Sequence, residues 1–563
     1  MLRITSLFTL LLVSVWCHAQ EGCIELAEGS ANRVAEHILY LASDDLEGRE
    51  PGTDGAILAS RYIFERFEEY GLEPVMDGVY YQPFEITTRI RFPEVPENRL
   101  VYRKKSYTIP ADYFPLAYSV GSGRVKGETI DLGYGISASE KEWDDYAEQD
   151  PKELKGKIFV MDISSPDGIH PHSEYLKYHD LGVRVDQAAE YGAAGVIFVN
   201  LGEGANDPNA EYRKLKSRHI PVVFVQNRDL AKKLKKGKEV EISVLLEEEK
   251  ITARNVMGYV NNDASHTIII GAHYDHLGYG GSSSLYRGGE PEIHNGADDN
   301  ASGTAGLLEL AYNLSQRKSE FTDHNYLFIA FSGEEMGLLG SSYYVKNQAI
   351  PRENVACMLN MDMIGRLEEN RLAVSGVGTS PIWEDVLLNG KCGNVQLKTS
   401  ESGIGPSDHT SFYYQEIPVL HFFTGTHSDY HKPTDDFEKI NIDGEVQVLS
   451  LIINVINRLG ESGPPDFTPT KEETMAAPRF TVTLGVMPDY MFEGSGMRID
   501  GVTEGKPASK AGMQAGDVVI RMGEFKVEDM MSYMRALGSF KKGDKTEVTF
   551  KRGEEERTAT VQF

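Results

Sequence analysis

Four short apolar runs, Thr267–Ile270, Tyr326–Phe331, Val355–Leu359 and Pro418–Phe423, each give way to a Gly-containing or polar turn that supplies an acid or a histidine. Runs this brief and this apolar read as consecutive strands of one parallel sheet. Their turns are GAHYDHLG, SGEEMGLLG, NMDMIG and TGTHSDYHKPTDD. In an open α/β sheet the reactive crevice lies outside the carboxyl ends of the strands. His273, Asp298, Glu334, Glu335, Asp362 and His431, far apart in the chain, are therefore predicted to converge there.

Two imidazoles and several carboxylates form the donor set that divalent zinc favours, and two ions a few ångströms apart need one carboxylate between them. Asp298, in HNGADDNASGTAGLLELA, stands where a tight turn leads into a helix and is assigned the bridge. Adjacent Glu334 and Glu335 diverge on an extended or turning backbone, so they take different tasks, one as ligand and one as proton carrier. Asp275, two residues after His273, suits an acceptor for the second ring N–H of that histidine. His276, His409, His421 and His427 read as structural. Each residue alone would pass for a loop residue or a helix cap, as Asp298 or Asp299 could. Matched ligand types at one end of successive strands are what single out the metal site.

At 563 residues the chain calls for two or three domains. A formal charge of -28 argues against nucleic acid or an anionic membrane as partner. Residues 1–19 combine Arg3, an apolar stretch Leu7–Trp16 and the ending Cys17-His18-Ala19, the pattern of a secretory signal, so a secreted or periplasmic location is expected. No later segment is long enough to span a bilayer. Cys23, Cys357 and Cys392 then remain, and one disulfide is possible with partners the sequence does not reveal.

The expected fold class is α/β, a doubly wound, mainly parallel mixed sheet, with a β-rich insertion and a small C-terminal domain. Two helical patterns, AEHILYLAS and LASRYIFERFEEYG, flank the turn DDLEGREPGTDG. The divisions are 20–120 and 251–460 for the sheet domain, 121–250 for the insertion, 461–478 for a Pro- and Gly-rich linker and 479–563 for the last domain. The insertion carries GKIFVMDI, AGVIFVN and IPVVFVQ.

GAHYDHLG, NGADDNASG, SGEEMGLLG, NMDMIGR and DYHKPTD together resemble the co-catalytic di-zinc peptidase family that includes secreted aminopeptidases, glutamate carboxypeptidase, glutaminyl cyclase and transferrin receptor. YLASDDLEGREPGTDG resembles that family's start. The resemblance implies two zinc ions per chain, His273 and Asp362 on one, Glu335 and His431 on the other, Asp298 between them, and Glu334 as general base for a hydroxide bridging both metals. It also implies a cis peptide at Asp298-Asp299 and a Tyr430 hydroxyl that assists the developing oxyanion. The insertion resembles a protease-associated (PA) domain. The tail resembles a PDZ domain, in which Thr483, Leu484, Gly485 and Val486 would hold a peptide's terminal carboxylate.

These implications favour an aminopeptidase acting on peptides with a free N-terminus, whose ammonium suits an acidic site. A carboxypeptidase or dipeptidase would need a cation for the substrate carboxylate, and Arg366 is the nearest candidate. A non-catalytic scaffold is the reading from another class, and metal content separates it from the enzymes.

Overall fold

The computed structural model describes residues 23–563 apart from 76–77, 94–97, 171–172, 203–205, 209–218, 282, 287, 471–481, 489–491, 493, 503–504, 528–529, 542 and 554. The signal pattern and part of the linker lie outside the described residues. Two compact units emerge: one carries the chain up to Gln82 and again from Arg254, the other carries Pro83–Ala253 and the C-terminal domain.

One eight-stranded sheet carries strands labelled β1 to β8 in chain order: Tyr81–Arg91, Glu247–Val260, Thr267–His273, Asn325–Phe331, Val355–Met361, Arg371–Ser375, Gln396–Ser400 and Val419–Phe423; β1 beyond Gln82 and β2 before Arg254 are assigned to the second unit, the rest to the first. Their spatial order is β1-β2-β4-β3-β5-β8-β6-β7. The central neighbours β4-β3-β5-β8 run parallel, while β2 pairs β4 and β6 pairs β8 antiparallel. Every residue of β3, β4 and β5 is buried, which is why these strands read as unbroken apolar runs rather than as alternating ones.

The faces are covered by helices α1 (Ser30–Leu41), α2 (Asp54–Glu69), α3 (Gly303–Gln316) and α4 (Ile442–Ser462). One large core joins Val34, Ile38, Ile63, Phe67, Leu307, Leu310, Leu449 and Ile452 to alternate residues of the strands. Buried Glu309 on α3 takes Arg33 and Ser30 of α1, fastening the N-terminal helix. Among the described residues, Cys23 is bonded to Cys392, and Cys357 is free and buried.

The inserted unit begins earlier than the sequence divisions place it. Strands Arg99–Tyr102, Lys105–Tyr107 and Tyr113–Pro115 belong to its own eight-stranded sheet, and the chain passes between units at Gln82/Pro83 and Ala253/Arg254. These opening strands are only three or four residues long, and Arg99–Tyr102 and Lys105–Tyr107 are partly exposed, so they do not signal a boundary. The predicted runs form parallel strands Ile158–Asp162, Gly195–Val199 and Val222–Val225, with helix Leu181–Glu190 between the first two. The C-terminal domain is a six-stranded sheet spanning Val486–Gln562, with helices Pro507–Lys510 and Met530–Gly538. Among the described residues, no helix is long and apolar enough to cross a membrane.

Candidate metal centre

His273 closes β3, Glu334 and Glu335 follow β4, Asp362 follows β5, and His431 ends the loop after β8. The structure brings these five side chains together. His273 Nε2 lies 3.3 Å from Asp362 Oδ1, and His431 Nε2 lies 3.3 Å from Glu335 Oε2.

The carboxylate between the two pairs is Asp299, not Asp298. Asp299 Oδ1 is 3.5 Å from His273 Nε2, and its Oδ2 is 3.2 Å from His431 Nε2. Asp298 is turned away: its Oδ1 accepts the Gly365 N–H at 2.7 Å and the Ser302 hydroxyl at 3.1 Å, while its Oδ2 faces His427 Nε2 at 3.1 Å. The cis peptide likewise falls at Asp299-Asn300. Successive side chains of this turn point in opposite directions, so an error of one residue exchanges an inward carboxylate for an outward one.

The turn is fixed from behind. Asp435 Oδ2 accepts both the Asp298 and Asp299 N–H groups, at 3.0 and 3.1 Å. Gly296 opens it at φ 56°, and a Cβ there would lie 2.0 Å from the Asp299 carbonyl oxygen.

Asp275 does not act as predicted. The nearest acceptor to His273 Nδ1 is the Asp275 carbonyl at 3.1 Å, whereas its carboxylate stands 3.9 Å away, beyond hydrogen-bond reach. That carboxylate instead accepts the Glu334 N–H at 3.2 Å, holding the backbone of the predicted base. Burial pushes the Asp275 carboxyl up to about 7.

Bonds of about 2.0–2.2 Å to a tetrahedral zinc put neighbouring donor atoms roughly 3.3–3.6 Å apart. The four spacings of 3.2 to 3.5 Å among His273, Asp362, Asp299, Glu335 and His431 match such coordination edges and exceed ordinary hydrogen bonds. Charge agrees. Burial pulls His273 and His431 down, yet the carboxylates of Asp362 and Glu334 around the first, and of Glu335 and Asp299 around the second, hold both imidazoles well above their usual range. This site calls for added positive charge, and the residues fit zinc.

Residues 255–456 match the model of peptidase family M28, residues 115–232 that of the PA domain and residues 473–563 that of the PDZ domain. Residues 255–456 are thus similar to peptidase family M28. Aminopeptidase YwaD of Bacillus subtilis is 30% identical over 319 residues, covering 53% of this chain and 62% of that protein. A probable leucine aminopeptidase 2 of Trichophyton verrucosum is 28% identical over 265 residues, covering 43% and 48%. The chain thus spans less than two thirds of these relatives' lengths. Among solved structures, a zinc aminopeptidase from Bacillus subtilis is 23% identical with a TM-score of 0.41, over 79% of this chain and 96% of that one. A Zn-dependent exopeptidase from Parabacteroides distasonis is 13% identical with a TM-score of 0.42, over 77% and 99%.

The site enlists one histidine that its sequence context marks as structural. His276 Nδ1 is 2.8 Å from Glu335 Oε1, a hydrogen bond rather than a coordination edge, and its ring packs edge-on against His431. It leaves Glu335 Oε2 as the free ligand oxygen. Burial raises the Glu335 carboxyl, but His431 and His276 reverse this and hold it well below its ordinary range. For Glu334 burial prevails and its carboxyl stands well above that range. The spacing His-x-x-His at a strand end was the available signal for His276.

Tyr430 stacks on His431 at 3.9 Å between ring centroids. Arg366 is committed to Asp429 at 3.3 Å and Asp435 at 2.7 Å. In the PDZ domain, Leu484 is buried in the core and the Gly485 N–H donates to Thr483 Oγ1 at 2.9 Å.

Proposed function

We propose that the protein is a secreted or periplasmic di-zinc aminopeptidase that removes N-terminal residues from peptides. The observation that carries this reading is the set of four coordination-edge spacings among buried and half-buried donors from five separate segments. His273, Asp299 and Asp362 would hold one zinc, and Glu335, Asp299 and His431 the other. Zinc there supplies Lewis acidity for the scissile carbonyl and acidifies water at neutral pH. Glu334, its backbone held by Asp275, takes the proton of the attacking water and passes it to the leaving amine. Tyr430, beside His431, donates to the developing oxyanion.

Exopeptidase action on a free amine is supported by the names of the relatives and by the acids gathered here. The engagement of Arg366 with Asp429 and Asp435 removes the cation a carboxypeptidase would use. The Cys23–Cys392 bond and the pattern in residues 1–19 support an oxidising compartment. Residues 483–486 of the PDZ domain would take a peptide's C-terminus, with the Gly485 N–H released from Thr483. The decisive assay gives the protein matched free and N-acetylated peptides before chelation, after chelation and after zinc is returned. Cleavage of free peptides alone, lost and regained with about two zinc equivalents, is expected. Equal cleavage of both peptides, or activity indifferent to chelator, would refute the assignment.

A further inference from the structure

Arg49 lies in the DDLEGR turn between α1 and α2, more than two hundred residues before the first ligand, and is 1% exposed. Its guanidinium meets no carboxylate among its hydrogen bonds. Nε donates to the Tyr274 carbonyl at 2.7 Å, Nη1 to the carbonyls of Asn295 at 2.7 Å and of Leu41, and Nη2 to Gly296 at 3.0 Å. Tyr274 stands between His273 and Asp275-His276. Asn295 and Gly296 immediately precede the turn that carries Asp299. One buried cation thus ties together the two loops whose ligands meet at the shared carboxylate.

The main chain of the same turn makes the tie stiffer. The Arg49 carbonyl accepts the His276 N–H at 3.3 Å and the Gly48 carbonyl accepts the Gly278 N–H at 3.0 Å. A Cβ on Gly48 would stand 2.5 Å from the His294 carbonyl oxygen and 2.6 Å from that of Gly278, so only glycine lets the turn wedge between both loops. Glu47, Gly48 and Arg49 have φ of 46°, 68° and 53°. Such a left-handed run is unusual for Glu and Arg and persists only where surrounding contacts impose it. Burial lowers Arg49 to about 10, which leaves it charged at neutral pH, in the field of Asp299, Asp275, Asp435 and Glu335.

We infer that Arg49 is a positioning residue for the metal centre, fixing the loop after β3 against the Asp299 turn so that the cation sites exist before metal arrives. The inference rests on the zinc reading above. A residue that serves only to anchor the N-terminal segment would change stability and leave metal affinity alone.

The test uses the full chain and three variants: R49K, which keeps charge but loses the planar fork; R49G, which suits the left-handed backbone and leaves space; and R184K as control. Arg184 is equally buried and likewise bonded to four carbonyls, those of Tyr178, Tyr134, Asp162 and Ile163, all within the inserted unit. After chelation, zinc affinity is read by competition with a fluorescent indicator, and site geometry by cobalt(II) absorption. Circular dichroism of the metal-free proteins reports folding. R49K and R49G should bind zinc roughly 10- to 100-fold more weakly, with an altered cobalt spectrum. Millimolar guanidinium should restore part of the affinity of R49G, while R184K keeps the parent affinity. Parent-like zinc binding in R49K or R49G overturns the inference, as does an equal loss in R184K. A parent protein that binds no zinc at all would overturn the metal reading instead.

Discussion

In both large sheets a parallel strand ends beside an acid, Asp362 just after β5 and Asp162 at the end of Ile158–Asp162, but the two acids differ in what already satisfies them. Asp162 Oδ1 accepts the Ser164 N–H at 3.0 Å and its Oδ2 the Leu201 N–H at 2.9 Å. It borders a cavity of about 470 Å³ whose Lys235 is paired with Asp131 at 3.1 Å. Around Asp362, by contrast, acids and imidazoles stand at coordination spacing with a shortage of positive charge. An acid at the strand ends is common to both regions; unmet charge belongs to one. That difference, rather than concavity, marks the reactive centre.

The sharpest way to break the comparison is Glu334→Gln. The Glu334 carboxylate stands 3.9 Å from His273 Nε2, beyond hydrogen-bond reach, so removing its charge leaves the ligand set intact. Turnover should fall by about 10²- to 10⁴-fold, with KM little moved and two zinc equivalents retained in metal analysis. Turnover within a few-fold of the parent would remove Glu334 from the base role.

A smaller effect is expected at His276→Gln. Its hydrogen bond orients Glu335, and a ligand left to rotate typically loses about 10- to 100-fold in metal affinity. Competition with a zinc indicator should register that loss at one of the two sites only. An equal loss at both sites, or none, would show that His276 does not act through Glu335. This variant sharpens the comparison, because a carboxylate held by one neighbour on one oxygen lies between the open and the satisfied cases.

Much of this was legible in the chain. The buried parallel strands announced themselves because a strand covered on both faces has no polar alternation to confuse it, and a residue just past such a strand can hardly avoid the crevice. The convergence of His273, Glu334, Glu335, Asp362 and His431 is expected on that ground, whereas their division into ligands and base rests on the family resemblance. Asp299 was missed because two adjacent acids on a turn are equivalent in pattern, and only the backbone bend decides which faces inward. His276 and Arg49 were missed for another reason: they act through neighbours from remote segments, and no local periodicity encodes a contact between residue 49 and the carbonyls of residues 274, 295 and 296. The early boundary of the inserted unit is not legible because strands of three or four residues are too short to carry a periodic signal.

The smallest expected effect falls at the satisfied acid. Asp162→Asn exchanges one of two acceptor oxygens for a donor that would face a backbone N–H, leaving that N–H buried and unpaired at a cost of about 1–3 kcal/mol. Because Asp162 is spent on its own backbone, the loss should appear as earlier denaturant unfolding, with zinc affinity and turnover on short peptides unchanged. If turnover on short peptides fell tenfold while folding was undisturbed, the inserted cavity would hold substrate, and its closed hydrogen bonds would be a poor guide to where this protein keeps its working charges. Lowered stability with unchanged chemistry is the signature of a carboxylate whose partners all lie within the fold, with no oxygen left over for a ligand.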